Sequence, residues 1–268
     1  NQTGLIGGES LDANTSLNGS FISGDGRTGA YLFSMIRSRD GYDYNDDGYT
    51  DIPKLRSETV GVRAFQKIGE RQKLTLEYHH IHEFRRGGDS LDIPAHESNL
   101  AEQLEHQING GGLTYDVYSA DNKNSGSVYV SMQHIGRNSY FGTGKNPDAY
   151  GRTKDYTLNA GAQWIHDFQN ETLPAIFTAG FDYTYDKLED VMIGYNREIA
   201  QQTHVGGIYA QNEWKNVRYG ILLGLRADKH SMIKTPIISP RVTLRYAPTK
   251  DITIRASYAR GYRAPQIY

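Results

Sequence analysis

From about residue 11 to about residue 262, apolar and polar residues alternate with a period of two, and helical periodicity scarcely interrupts them. From Lys73 onward, Leu74, Leu76 and Tyr78 fall on one face while Thr75, Glu77 and His79 fall on the other. Tyr156, Leu158, Ala160, Ala162 and Trp164 likewise oppose Thr157, Asn159, Gly161 and Gln163. The pattern returns with Ala175, Phe177, Ala179, Phe181 and Tyr183, and again with Ile252, Ile254, Ala256 and Tyr258. Each stretch is a strand with one greasy and one wet side. About twelve such strands are predicted, each near the length that crosses a bilayer when tilted.

Composition fixes what kind of membrane crossing is open to such a chain. Hydrophobic residues make up 37% and mean hydropathy is -0.64, with no run of about 18 apolar residues. Helical spans are therefore excluded, and a crossing must use strands. Tyr is over-represented, with 20 copies against 8 Phe and 2 Trp, and its apolar ring with a polar tip suits a boundary between water and hydrocarbon. The absence of Cys rules out disulfides and thiolate metal sites. A net charge of -2 without long blocks of either sign disfavours nucleic acid as a partner. The chain opens Asn1, Gln2, Thr3 with no visible signal peptide, as a mature or truncated chain would.

Alternation alone does not separate a membrane barrel from a soluble β-sandwich. The connections do: short polar turns near 23–28, 68–72, 120–126, 169–174, 215–216 and 248–251 are expected to alternate with long ones near 40–53, 87–101, 144–153, 188–200 and 231–238. All long loops then emerge from one end, the asymmetry of outer-membrane barrels. Tyr78, Phe84, Tyr140, Phe141, Phe168, Tyr183, Tyr185, Tyr219 and Tyr246 fall near predicted strand ends, where an interfacial girdle belongs. The fold class expected is all-β, an antiparallel transmembrane β-barrel.

The most chemically loaded segment is DGYDYNDDGYTD, Asp40 to Asp51. Asp43, Asn45 and Asp47 followed by Gly48 match the start of a calcium loop, in which hard oxygen ligands alternate and glycine allows a sharp turn. Asp51 and the carbonyl of Tyr49 would complete the shell. Lys54 occupies the twelfth position counted from Asp43, where an EF-hand requires a bidentate acid, so a full EF-hand is excluded. His80 and His82 share one strand face but lack a third ligand. Gly110, Gly111 and Gly112 precede no helix and so form no phosphate loop; they suit bending or a close approach. No nucleophile is grouped with a base, and no enzymatic activity is expected.

The stretch SPRVTLRYAPTKDITIRASYARGYRAP, Ser239 to Pro265, resembles a region of TonB-dependent receptors. It opens a strand with Ser-Pro-Arg, passes a short Pro-containing turn, reads IRASYARG and closes on the box Tyr262, Arg263, Ala264, Pro265. EQLEHQINGGGLTYDVYS and QNEWKNVRYGILLGLRADKH also look like barrel segments of these receptors in Bacteroidetes-type bacteria. The resemblance implies a bacterial outer-membrane barrel of about 22 strands, occluded by an N-terminal plug that contacts a TonB-type energy-coupling protein. Residues 1–268 would then be an interior piece of barrel, without plug or closing strands. It further implies uptake of a scarce nutrient, open among cobalamin, haem, a ferric siderophore and a glycan. An acidic loop here is similar to vitamin B12 receptors, where calcium orders outer loops, which ranks corrinoids first among the ligands; the alternatives are a loop that stiffens an exposed hairpin or helps hold a surface lipoprotein. Arg241, Arg245 and Arg255 share the predicted inner face, with Arg226 nearby, and would meet plug carboxylates or acidic groups of a ligand. Two rivals predict different behaviour: a passive porin has no energy coupling, and a secreted β-sandwich is soluble without detergent.

Overall fold

The alternating segments pair into one sheet in the computed structural model, which describes residues 1–263. Thirteen antiparallel strands follow one another in chain order: β1 Gln2–Ile6, β2 Ser10–Ile22, β3 Thr28–Arg39, β4 Lys54–Ile68, β5 Gln72–Gly88, β6 Leu100–Tyr118, β7 Asn124–Thr143, β8 Tyr150–Asp167, β9 Ala175–Met192, β10 Arg197–Lys215, β11 Tyr219–His230, β12 Ile237–Tyr246 and β13 Ile254–Ala259. β1 and β13 are the sheet's edges. The additional strand is β1, which turns into β2 through Gly7 and Gly8 at positive φ. No described strand forms a second layer, so the packed faces of a β-sandwich are missing.

Strand register places every residue on one of two faces, because directly opposed residues project to the same side. One face carries Leu17, Leu32, Val60, Leu76, Val128, Met132, Phe181, Ile208, Leu223 and Leu244, all left exposed by the protein. Leu17 is 74% and Ile208 65% exposed. In water each such side chain forgoes roughly 1.5–3 kcal/mol of burial; against lipid it forgoes nothing. Aromatic residues border this band. Tyr219 and Tyr246 stack at the turn end with centroids 5.3 Å apart, while Tyr78, Tyr156, Tyr183 and Tyr185 lie on the other side of it.

Beyond those tyrosines the same face turns polar, with His80, His82, Glu105, Arg152, Lys154 and Glu189. The central strands explain this. β6 and β7 have 19 and 20 residues, about twice the 9–11 that a tilted membrane strand needs. Their upper halves stand clear of the hydrocarbon and pair there with polar side chains.

The same extension shortens the loops. The connection expected at 188–200 closes to 193–196, because β9 and β10 stay paired up to Met192 and Arg197. The one at 144–153 closes to 144–149. The turn 168–174 is longer than 193–196, so strict alternation of long and short does not hold. The connections 40–53 and 89–99 do stay long and lie at the same end. The buried hydrophobic cluster joins Ala95 of 89–99 and Ala149 of 144–149 to Ala101 on β6 and Tyr140 on β7. Tyr140 is thus no girdle residue; it is fully buried and donates to the Asn146 carbonyl at 3.0 Å.

Gly110, Gly111 and Gly112 answer to neighbouring strands. A Cβ on Gly111 would lie 2.6 Å from the Glu77 carbonyl oxygen, and one on Gly110 would lie 2.5 Å from the His79 ring. Close approach of neighbouring strands and of the His79 ring surrounds them among the described residues.

Candidate functional site

The second face of the sheet is polar and ionically cross-braced, which on a wall with lipid outside makes it the lumen. Arg226 on β11 contacts Asp182 on β9 through two 2.7 Å hydrogen bonds and also binds Asp228, two residues along its own strand. Its guanidinium lies 5.9 Å from the Tyr209 ring centroid. Asp228 is nearly fully buried, so the arginine supplies the partner such a carboxylate requires.

A second brace ties β7, β8, β9 and β10 together. Arg137 donates to Thr153 Oγ1 at 3.1 Å, Thr153 donates to Asp190, and Arg197 closes on Asp190 Oδ2 at 2.8 Å. Nearby, Thr157 is 3.2 Å from both Asp155 and Asp186. These groups line an inward recess of about 680 Å³ together with His106. Arg37 and Asp12 form a further inner-face pair at 2.6 Å. Sequence reading missed these networks, because partners drawn from three or four strands become visible only through register.

Arg241, Arg245 and Arg255 also lie on the inner face, on the same side as Arg226. Arg245 and Arg255 are direct cross-strand partners, a like-charge opposition that disfavours pairing unless an anion or solvent screens it. None of the three forms an ion pair among the described residues. Tyr262 and Arg263 are described, whereas Ala264 and Pro265, the rest of the expected box, lie outside the described residues.

At the loop end, Asp89 organises the segment 89–99. It accepts the Leu100 and Asn99 amides at 2.8 and 3.2 Å and the Asn99 side-chain amide at 3.0 Å. Burial works against its ionisation, but these donors outweigh it and hold the carboxyl below the usual range. Arg86 Nη2 donates to Ser98 Oγ at 2.6 Å, anchoring the same loop from outside.

The acidic loop folds as a chain of side-chain-to-amide turns. Asp43 accepts the Gly48 and Asn45 amides at 2.8 and 3.3 Å, Asp47 accepts the Tyr49 amide at 2.9 Å, and Asp51 accepts the Tyr44 amide at 2.8 Å. Asn45 donates to Asp47 at 3.0 Å. Asp46 and Gly48 take positive φ, and a Tyr42–Ile52 bridge closes the base. Among the described residues no three acidic or histidine side chains gather closely enough to hold a metal ion. His80 and His82 point outward and contact Asn109 and Glu105.

Comparison with known proteins decides the family. Residues 7–268 match the model described as TonB dependent receptor-like, beta-barrel. The chain belongs to the TonB-dependent receptor family. Its sheet is a section of that family's barrel wall, located in the bacterial outer membrane, with its apolar face toward lipid. Three solved structures show the same fold. The siderophore receptor PirA from Acinetobacter baumannii has a TM-score of 0.79 at 14% identity, over 96% of this chain and 41% of its own. The ferric enterobactin receptor PfeA from Pseudomonas aeruginosa, as a mutant in complex with enterobactin, has 0.75 at 15%, over 96% and 42%. The outer membrane transporter YddB from Escherichia coli has 0.73 at 13%, over 96% and 39%. This TonB-dependent receptor section spans about two fifths of their length. No match was found among curated proteins.

Proposed function

We propose that this wall belongs to an importer that carries a ferric siderophore across the outer membrane with energy supplied through TonB. The observation that carries the reading is the contrast along the inner face. Arg226, Arg137 and Arg37 form ion pairs within the wall, while Arg241, Arg245 and Arg255 form none among the described residues. Such inward cations suit carboxylates of a plug, and displacement of that plug then changes the charge the ligand meets. Two plug positions with different ligand affinity give inward release. The loops 40–53, 89–99, 144–149 and 193–196 form the entrance.

Siderophore is placed first because the solved relatives of this fold include receptors named for it. Cobalamin stands second, on the spacing of Asp43, Asn45, Asp47, Tyr49 and Asp51 and the likeness to vitamin B12 receptors. Calcium would have to draw these side chains away from the loop amides they now hold. The test is uptake of radio-iron-labelled enterobactin by cells carrying the full receptor. Uptake that stops when the proton gradient is collapsed is expected; uptake that persists points to a passive channel, and iron-independent uptake of labelled cobalamin moves the ligand class.

A further inference from the structure

The outward face of the wall holds a feature with no part in carrying cargo. Gly111 is the one side-chain-free position in its stretch of the lipid-facing band, opposed by Tyr78 on β5 and Met132 on β7. Its missing side chain leaves a groove of about 350 Å³ walled by Leu76, Leu113 and Val130. At its upper rim Tyr78 donates to Asn109 Oδ1 at 3.0 Å, His80 Nδ1 lies 2.9 Å from the same oxygen, and the His134 ring lines the edge. Leu76, Leu113, Val130 and Met132 make the groove apolar within, where unsatisfied polar groups would be costly.

Directly above it, across β6, β7, β8 and β9, lies a second recess of about 700 Å³ that includes Arg152, Lys154, Glu105, Asn138 and Glu189. Tyr156 lines the lower recess and Lys154 the upper one; as same-face neighbours on β8 they are about 7 Å apart. The two carboxylates are engaged, Glu105 with His82 at 3.2 Å and Glu189 with Lys187 at 2.7 Å. Arg152 and Lys154 form no ion pair among the described residues.

We propose that the two recesses are one binding site for a phosphorylated lipid of the outer leaflet, with an acyl chain over Gly111 and the phosphate on Arg152 and Lys154. The occupant follows from position. The lower groove opens into hydrocarbon, the upper recess lies at the level where headgroups begin, and the sheet is one layer thick, so cargo travels on the opposite face. Lipid tails are as apolar as leucine and gain little by exchanging neighbours; the chain fills a void and restores dispersion contacts. Selectivity comes from the phosphate, which a guanidinium grips bidentately and an ammonium as a point charge. The site does not depend on which nutrient is imported.

The experiment uses the full receptor reconstituted in phosphatidylcholine bilayers, with spin-labelled phosphatidic acid or spin-labelled phosphatidylcholine as the probe. Phosphatidic acid is expected to show the larger immobilised fraction. Arg152→Gln with Lys154→Gln should weaken its association by roughly tenfold or more, since each cation near a bilayer surface contributes about a factor of five. Met132→Trp, which fills the groove, should reduce the immobilised fraction while Arg152 and Lys154 remain. Heat-modifiable gel migration verifies that each variant is folded. Equal immobilisation of both lipids would reduce the face to ordinary lipid contact and overturn the proposal. Full competition by inorganic phosphate would assign the upper recess to the free ion and overturn it as well.

Discussion

Arg226 reaches Asp182 across an intervening strand, its Nη1 and Nη2 each 2.7 Å from one carboxylate oxygen, while β10 runs between them. Gly207 makes the crossing possible. It is the β10 residue in register with both Asp182 and Asp228, and a Cβ there would lie 2.3 Å from Arg226 Nη2 and 2.5 Å from Asp228 Oδ1. Three strands are thus clamped by one guanidinium through the space that one glycine leaves.

Replacing Arg226 with Ala should destabilise the wall by about 3 kcal/mol, the low end for breaking a buried pair, because the arginine is partly solvated. Gly207→Ala should cost roughly 1–3 kcal/mol through overpacking. Combined with Arg226→Ala its added cost should fall, since the clash with the guanidinium is then gone and only the one with Asp228 Oδ1 remains. Urea midpoints of the refolded receptor measure all three, and additive losses would show that Gly207 does not act through Arg226.

Asp89 makes the loop 89–99 sensitive to acid. Its folded-state pKa is depressed, so the stability it contributes is present above the unfolded carboxylate value and is lost as pH falls through the lowered folded value. Amide exchange at 89–99 should therefore accelerate only below the ordinary carboxylate range. Asp89→Asn should exchange fast at neutral pH, with β5 and β6 still protected. A pH-independent loop in the wild-type receptor would count against Asp89 as its organiser.

The faces were legible from residue alternation because the inner and outer environments differ along every strand. β1 escaped notice because five residues ending at Gly7 and Gly8 carry too little pattern. Loop lengths were overestimated at 188–200 because Glu189, Asp190, Arg197 and Glu198 read as loop but pair above the membrane. Tyr140 has the residue type and strand-end position of a girdle aromatic, and only the packing of 89–99 and 144–149 shows it to be buried. The placement of Arg241, Arg245 and Arg255 on one face followed from spacing. The Arg226 and Asp190 networks did not, since register between distant strands creates them.

Calcium binding by the acidic loop, proposed from its spacing, has a direct readout. Calcium should slow proteolysis within 40–53, and Asp43→Asn with Asp47→Asn should remove that protection. The hydrogen-bonded turn predicts the opposite: Asp43 and Asp47 already satisfy loop amides, so proteolysis would be indifferent to chelator. Equal cleavage rates with and without calcium would retire the metal.

Arg241, Arg245 and Arg255, which form no ion pair among the described residues, separate a structural role from a transport role. Arg245 faces Arg255 across adjacent strands, and like charges so placed oppose pairing. Replacing Arg241, Arg245 and Arg255 by Gln should therefore leave the urea midpoint unchanged or raise it slightly. If they hold plug carboxylates, each lost charge-assisted contact costs about 1.5–3 kcal/mol of plug seating. The triple variant should then admit current in planar bilayers and lose coupled uptake while its wall stays folded. Lower wall stability with a sealed channel would reverse the assignment, making the arginines part of the barrel's own bracing.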